Sequence, residues 1–62
     1  MEFSVQEVTE ICDAADKAWK RAGPKVRVVR FDYRGVTYRS RLTTFRMLVE
    51  TPRGKPVACR YF

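Results

Sequence analysis

The stretch VRVVRFDYRGVTYRSRL, residues 26–42, decides the fold. Arg34-Gly35 lies at its centre, and a two-residue turn containing glycine is a hairpin signal. Pairing outward from that turn sets Tyr33 opposite Val36, Phe31 opposite Tyr38, Val29 opposite Ser40 and Arg27 opposite Leu42 on one face. The other face then pairs Asp32 with Thr37, Arg30 with Arg39 and Val28 with Arg41. Because side chains alternate across a strand, this register gathers most bulky apolar residues on one side and most arginines on the other. A slip of one residue would mix them, so the register is well specified.

Upstream of the hairpin the pattern is helical. Ser4 and Glu7 have the spacing of a capping box, with Phe3 and Val8 placed as the flanking hydrophobic staple. Val8, Ile11, Cys12, Ala15, Ala18, Trp19 and Ala22 then form one apolar stripe at helical period. Acidic residues occupy the first turns and Lys20 and Arg21 the last, matching the helix dipole, and Gly23-Pro24 ends the segment. Asp13–Lys17 and Asp16–Lys20 are i,i+4 pairs, on a polar face (Gln6, Glu10, Asp13, Lys17, Lys20) that is expected to be solvated.

Downstream, the alternation breaks at Thr43-Thr44, which predicts either a bulge in one long strand or a turn between two. TPRGKP, residues 51–56, is a second hairpin turn, with Pro52 at a central position and Gly54 in a left-handed one. Pairing Val49 with Val57, Met47 with Cys59 and Phe45 with Tyr61 keeps the inner side of the last hairpin apolar. The expected fold class is therefore α+β: a single domain over 1–62, with a helix over about 4–22 packed on a sheet over about 25–62. That sheet is a three- or four-stranded antiparallel meander, in the order α-β-β-β. The helix stripe, with Trp19 its largest member, would cover Val29, Phe31, Tyr38, Phe45, Met47 and Cys59; full burial of each large side chain stabilises by about 1.5–3 kcal/mol.

A chain of 62 residues makes a small core and is marginal on its own, so self-association as a homodimer is one expected source of support. Two cysteines and no histidine leave too few ligands for a zinc site, and no metal or cofactor is expected. A Cys12–Cys59 disulfide would tie the helix to the last strand; buried, unpaired thiols are the plainer expectation for so few cysteines. The N-terminal MEFSVQEVTE is acidic where a secretion signal is basic, and no apolar run approaches the ~20 residues of a membrane span. These features predict a soluble cytoplasmic protein with no membrane partner, and Met1 reads as an initiator.

Charge is unevenly placed. Residues 1–22 carry five acids against three bases, whereas residues 23–62 carry ten bases against Asp32 and Glu50, for a net +6 overall. One helix covers one side of a sheet. The other side is expected to show Arg30, Arg39, Arg41, Arg46 and Arg60, with Val28, Leu48, Ala58 and Phe62 among them. Arg30 directly opposite Arg39 is unfavourable without an anion or carboxylate nearby, and Asp32 is the candidate to relieve it.

Three readings of that face stay open. Guanidinium groups bind phosphates bidentately, which suits nucleic acid. With the tyrosines and most phenylalanines facing inward, duplex or backbone contact is expected ahead of base stacking. Arginine mixed with Val28, Leu48 and Phe62 also resembles a protein interface, for a second copy or an acidic protein partner. Nine arginines among thirteen basic residues could instead reflect an arginine-rich proteome and a merely solvated face.

Catalysis is not expected. No histidine is present, Ser4 and the acids of the first helical turns are explained by capping and the helix dipole, Cys12 lies on the apolar stripe, and Gly35 and Gly54 are isolated turn glycines. Helix-first order and a basic sheet resemble the double-stranded-RNA-binding domain in outline alone. That family closes with a second helix bearing a lysine-rich N-terminus, which has no counterpart in this sequence, so no residues carry over. The expectation is a non-enzymatic binding protein that contacts nucleic-acid phosphates through Arg30, Arg39, Arg41, Arg46 and Arg60, with docking of a protein partner on the same face as the alternative.

Overall fold

The computed structural model describes residues 3–61. Helix α1 (Val5–Ala22) is followed by β1 (Val28–Tyr33), β2 (Val36–Leu42), β3 (Arg46–Glu50) and β4 (Pro56–Tyr61). The strands form one antiparallel sheet in the order β1-β2-β3-β4, and α1 packs on one face of it, most heavily on β1.

Helix α1 begins where the capping box predicts. The Ser4 hydroxyl accepts from the Glu7 N–H at 3.1 Å, and the Glu7 carboxylate accepts from the Ser4 N–H at 3.2 Å. Phe3, placed as a staple to Val8, sets its ring edge against Tyr38 of the sheet at 6.4 Å. At the other end the Gly23 N–H donates to Trp19 O, with Gly23 at φ 83°. Asp16 pairs with Lys20 at 3.4 Å, but Asp13 turns toward the sheet instead of toward Lys17.

The first hairpin has the register its turn demands, from Tyr33–Val36 to Val28–Arg41. Arg34 (φ 51°) and Gly35 (φ 78°) both occupy the left-handed region, as a type I′ turn requires. The phase break at Thr43-Thr44 is a turn, so the strands number four. There the Thr43 N–H donates to Arg46 O at 2.8 Å, and the Thr43 hydroxyl accepts from the Arg46 N–H at 3.1 Å. Phe45, expected under the helix, falls in this turn and is 75% exposed.

The second departure lies in β4. Near its turn the expected pairing holds, with the Thr51 N–H donating to Lys55 O and Glu50 opposite Pro56. A bulge then leaves Val57 unpaired, and the register continues one residue further on: Val49–Ala58, Leu48–Cys59, Met47–Arg60 and Arg46–Tyr61. The bulge lets both Val57 and Ala58 pack against the core. It also reverses everything beyond it. Ala58 and Arg60, expected on the open face, lie on the helix side, while Cys59 and Tyr61, expected inside, lie on the open face.

The core comprises Ile11, Cys12 and Ala15 from α1 with Phe31, Tyr38, Met47 and Val49 from the sheet. Ser40 is fully buried among them, and its polarity is fully used: Trp19 Nε1 donates to its hydroxyl at 2.9 Å, and the hydroxyl donates to Leu48 O at 2.8 Å. Cys12 and Cys59 are free thiols on opposite sides of the sheet, Cys12 buried and Cys59 exposed, so no disulfide links helix to strand. Burial holds the Cys12 thiol above its ordinary pKa. Among the described residues no helix is long and apolar enough to cross a membrane.

Candidate functional site

The face of the sheet away from α1 is built as four rungs. Asp32 and Thr37 form the first, and the Thr37 hydroxyl donates to Asp32 at 2.6 Å. Arg30, Arg39 and Glu50 form the second; Val28, Arg41, Leu48 and Cys59 the third; Arg46 and Tyr61 the fourth. Four of the five expected arginines are therefore brought together here. Phe62, expected among them, lies outside the described residues.

Arg60 is the exception. Its Nη2 donates to Asp13 Oδ1 of α1 at 2.8 Å, and this bond holds its pKa above the ordinary arginine value. A guanidinium committed to a helix carboxylate on the covered side is not available to the open face. Asp13, for its part, is a clamp between helix and sheet where a solvated position was expected.

Glu50 changes the electrostatics of the rest. Arg39 donates to its Oε1 from Nε (2.9 Å) and Nη2 (2.7 Å), while Arg41 reaches Oε1 from Nε (3.2 Å) and Oε2 from Nη2 (3.4 Å). Capped by the two arginines, the Glu50 side chain is only 8% exposed, against 34% for Arg39 and 51% for Arg41. Asp32, occupied by Thr37, does not relieve the Arg30–Arg39 repulsion; Glu50, the third member of that rung, does. Among the described residues no carboxylate lies within ion-pairing distance of Arg30 or Arg46. The face thus offers Arg30 and Arg46 without an ion-pair partner among the described residues and one net charge spread over the Arg39–Glu50–Arg41 cluster; four arginines against Glu50 and Asp32 leave it at a net +2.

Two further features were not anticipated. Arg30, Thr37, Arg39 and Pro52 frame a hollow of about 280 Å³ on this face, at the lower end of ordinary ligand cavities. Thr37 donates its proton to Asp32 and Arg39 is turned to Glu50, so the donor facing the hollow is the Arg30 guanidinium, with no carboxylate lining it, which suits one anion of phosphate size. At the other end of the face, Tyr61 is 68% exposed beside Arg46, and Phe45 is exposed in the turn just before Arg46. The expectation that aromatic rings face inward fails for these two. Glu50 was detectable in principle as the one acid beyond Asp32 in a basic half-chain; Tyr61 was not, since its side depends on the bulge.

Outside this face, the hairpin turn is tied to the helix. Tyr33 donates to Glu10 at 2.6 Å, and Arg34 lies 3.8 Å from both Glu7 and Glu10 with its guanidinium over the Tyr33 ring. The hydrogen bond from Tyr33 holds Glu10 below the ordinary carboxylate pKa, and the same bond holds the Tyr33 phenol above its ordinary value. This is a structural tie: both partners are satisfied by each other. No family model, curated protein or solved structure matches the chain.

Proposed function

We propose that the chain binds single-stranded nucleic acid on its open sheet face and does so without catalysing a reaction. The observation that carries this reading is the position of Tyr61, exposed on the face that also presents Arg30, Arg41 and Arg46. A base stacks on an exposed ring whatever its identity, and guanidinium groups one or two rungs away meet the flanking phosphates. The hollow beside Arg30 receives one phosphate; Arg46 and Arg41 track the backbone toward Tyr61. A duplex, whose bases are already stacked within it, makes no use of the ring, so single strands are preferred.

The test is a fluorescence-anisotropy titration of a labelled oligothymidine and of a duplex, each at two salt concentrations. Single-strand affinity should exceed duplex affinity and fall as salt rises. Tyr61→Ala should weaken the single-strand complex by about 1–3 kcal/mol, the contribution of one stacked base. Equal affinity for duplex and single strand, with Tyr61→Ala unchanged, overturns the reading.

A second reading keeps the same face for a protein partner. It is favoured by the apolar third rung, where exposed Val28 and half-buried Leu48 flank Arg41 in the manner of a small interface. Absence of oligonucleotide binding at low salt, together with retention of an acidic protein by this face and its loss in Arg41→Glu, selects it.

A further inference from the structure

A groove of about 570 Å³ runs on the other side of the molecule, between α1 and the outer edge of β1. Ala14, Ala18 and Ala22 form its helical wall, and Val29 and Phe31 lie along the strand. The alanines are one helical turn apart and leave open the space that larger side chains would fill. Lys17, Arg21 and Arg30 line it against a single acid, Asp32.

The strand beside the groove is an unguarded sheet edge. Since Tyr33–Val36 closes a two-residue type I′ turn, Tyr33, Phe31 and Val29 bond to β2, and the N–H and C=O groups of Asp32, Arg30 and Val28 point away from the sheet. β1 contains no proline and no bulge, the usual devices that discourage strand addition. β4, the opposite edge, has both: Pro56 at its start and the bulge at Val57.

We propose that this groove docks an extended acidic segment of a partner protein, which adds to β1 as a fifth strand and lies alongside α1. Main-chain bonds to Val28, Arg30 and Asp32 supply affinity, and alternate side chains supply selectivity. Small apolar residues point to the alanine wall, and carboxylates meet Lys17 and Arg21 at the mouth and Arg30 on the far side. A second copy of the chain fits less well. It would bring a duplicate of the same basic rim into a molecule already at net +6.

The experiment titrates the intact protein into a fluorescein-labelled peptide of repeating Val-Glu-Glu-Glu, which as a strand turns valine and glutamate alternately to the helix side and glutamate to the other side, and compares two altered peptides and three variants of the protein. N-methylation of alternate peptide amides keeps the charge and removes the strand pairing, and should abolish binding. Replacing glutamate with lysine should do the same. Lys17→Glu with Arg21→Glu, at exposed helix positions, should weaken binding by about tenfold while the circular dichroism spectrum is unchanged. Amide exchange at Arg30 and Asp32 should slow when the peptide is bound. Tyr61→Ala and Arg46→Glu, which test the opposite face, should leave peptide binding intact, so failure of either reading is distinguishable from failure of the other. Equal binding of the N-methylated peptide overturns the proposal. So does a dimer by analytical ultracentrifugation that protects the Arg30 and Asp32 amides without peptide, since the edge is then filled by a second copy.

Discussion

Replacing Glu50 with glutamine should make the protein less stable and a stronger ligand for polyanions at low salt. Glutamine keeps the shape and one acceptor oxygen but removes the charge that Arg39 and Arg41 share. Removing one partner of a fully buried ion pair costs about 3–5 kcal/mol. Here the arginines are one-third and one-half exposed, so water screens what is lost and about 1–2 kcal/mol is the expected cost. In a domain of this size that lowers the thermal midpoint by about 5–15 °C. The binding effect has the opposite sign. With Asp32 counted, the open face goes from about two effective positive charges to about three, so the slope of log K against log salt steepens from about −1.4 to about −2.1 for a single strand. Between about 50 and about 200 mM salt the affinity loss grows from roughly 7-fold to roughly 20-fold. The assay is thermal denaturation by circular dichroism, followed by oligothymidine anisotropy at four salt concentrations well below either midpoint. A structural carboxylate remote from the binding face would lose stability and leave the slope untouched. An unchanged slope in a folded Glu50→Gln protein therefore refutes the assignment of Arg39 and Arg41 to the binding face.

Three other outcomes are expected. Tyr33→Phe should flatten the stability profile at both extremes of pH. Above about pH 10 the unfolded chain's tyrosine ionises before the folded one, so the benefit of the Tyr33–Glu10 bond, complete below that range, is lost as pH rises. Below the ordinary carboxylate range the unfolded chain's glutamate takes its proton first, so the same benefit is lost as pH falls; urea titrations of both proteins across pH measure the difference. Thiol labelling with a maleimide should modify Cys59 rapidly and Cys12 only on unfolding; two slow thiols would show that the bulge is absent and that Cys59 faces the helix. Ser40→Ala should cost about 1–3 kcal/mol in urea denaturation, because Trp19 Nε1 is left without its acceptor inside the core. A cost below about 0.5 kcal/mol would mean that Trp19 finds another partner.

Short-range patterns in the sequence were sufficient for much of this structure. Ser4 and Glu7 set the start of α1 and Gly23 its end, because capping partners lie within a few residues of each other. Arg34-Gly35 sets the first hairpin, because a two-residue turn admits one register and that register separates Phe31 and Tyr38 from Arg30 and Arg39. From these alone follow the α+β class, the apolar helix side and an open side rich in arginine. Whether Thr43-Thr44 bends or turns was not decided locally, since either outcome restores the apolar phase; the Thr43 hydroxyl settles it by bonding across to Arg46.

The occupants of the open face were decided by tertiary structure. One unpaired residue, Val57, moves Arg60 beneath the sheet and brings Tyr61 out. Nothing near Val57 in sequence dictates this. The bulge is favoured because two apolar residues, Val57 and Ala58, reach the core together, and because Asp13, 47 residues away along the chain, is in place to receive Arg60. Glu50 likewise meets Arg39 and Arg41 only once β2 and β3 are paired. A strand's side chains alternate strictly, so a single inserted residue inverts all that follow it. The energy that decides the insertion comes from partners elsewhere in the fold, where no local pattern in the sequence records it.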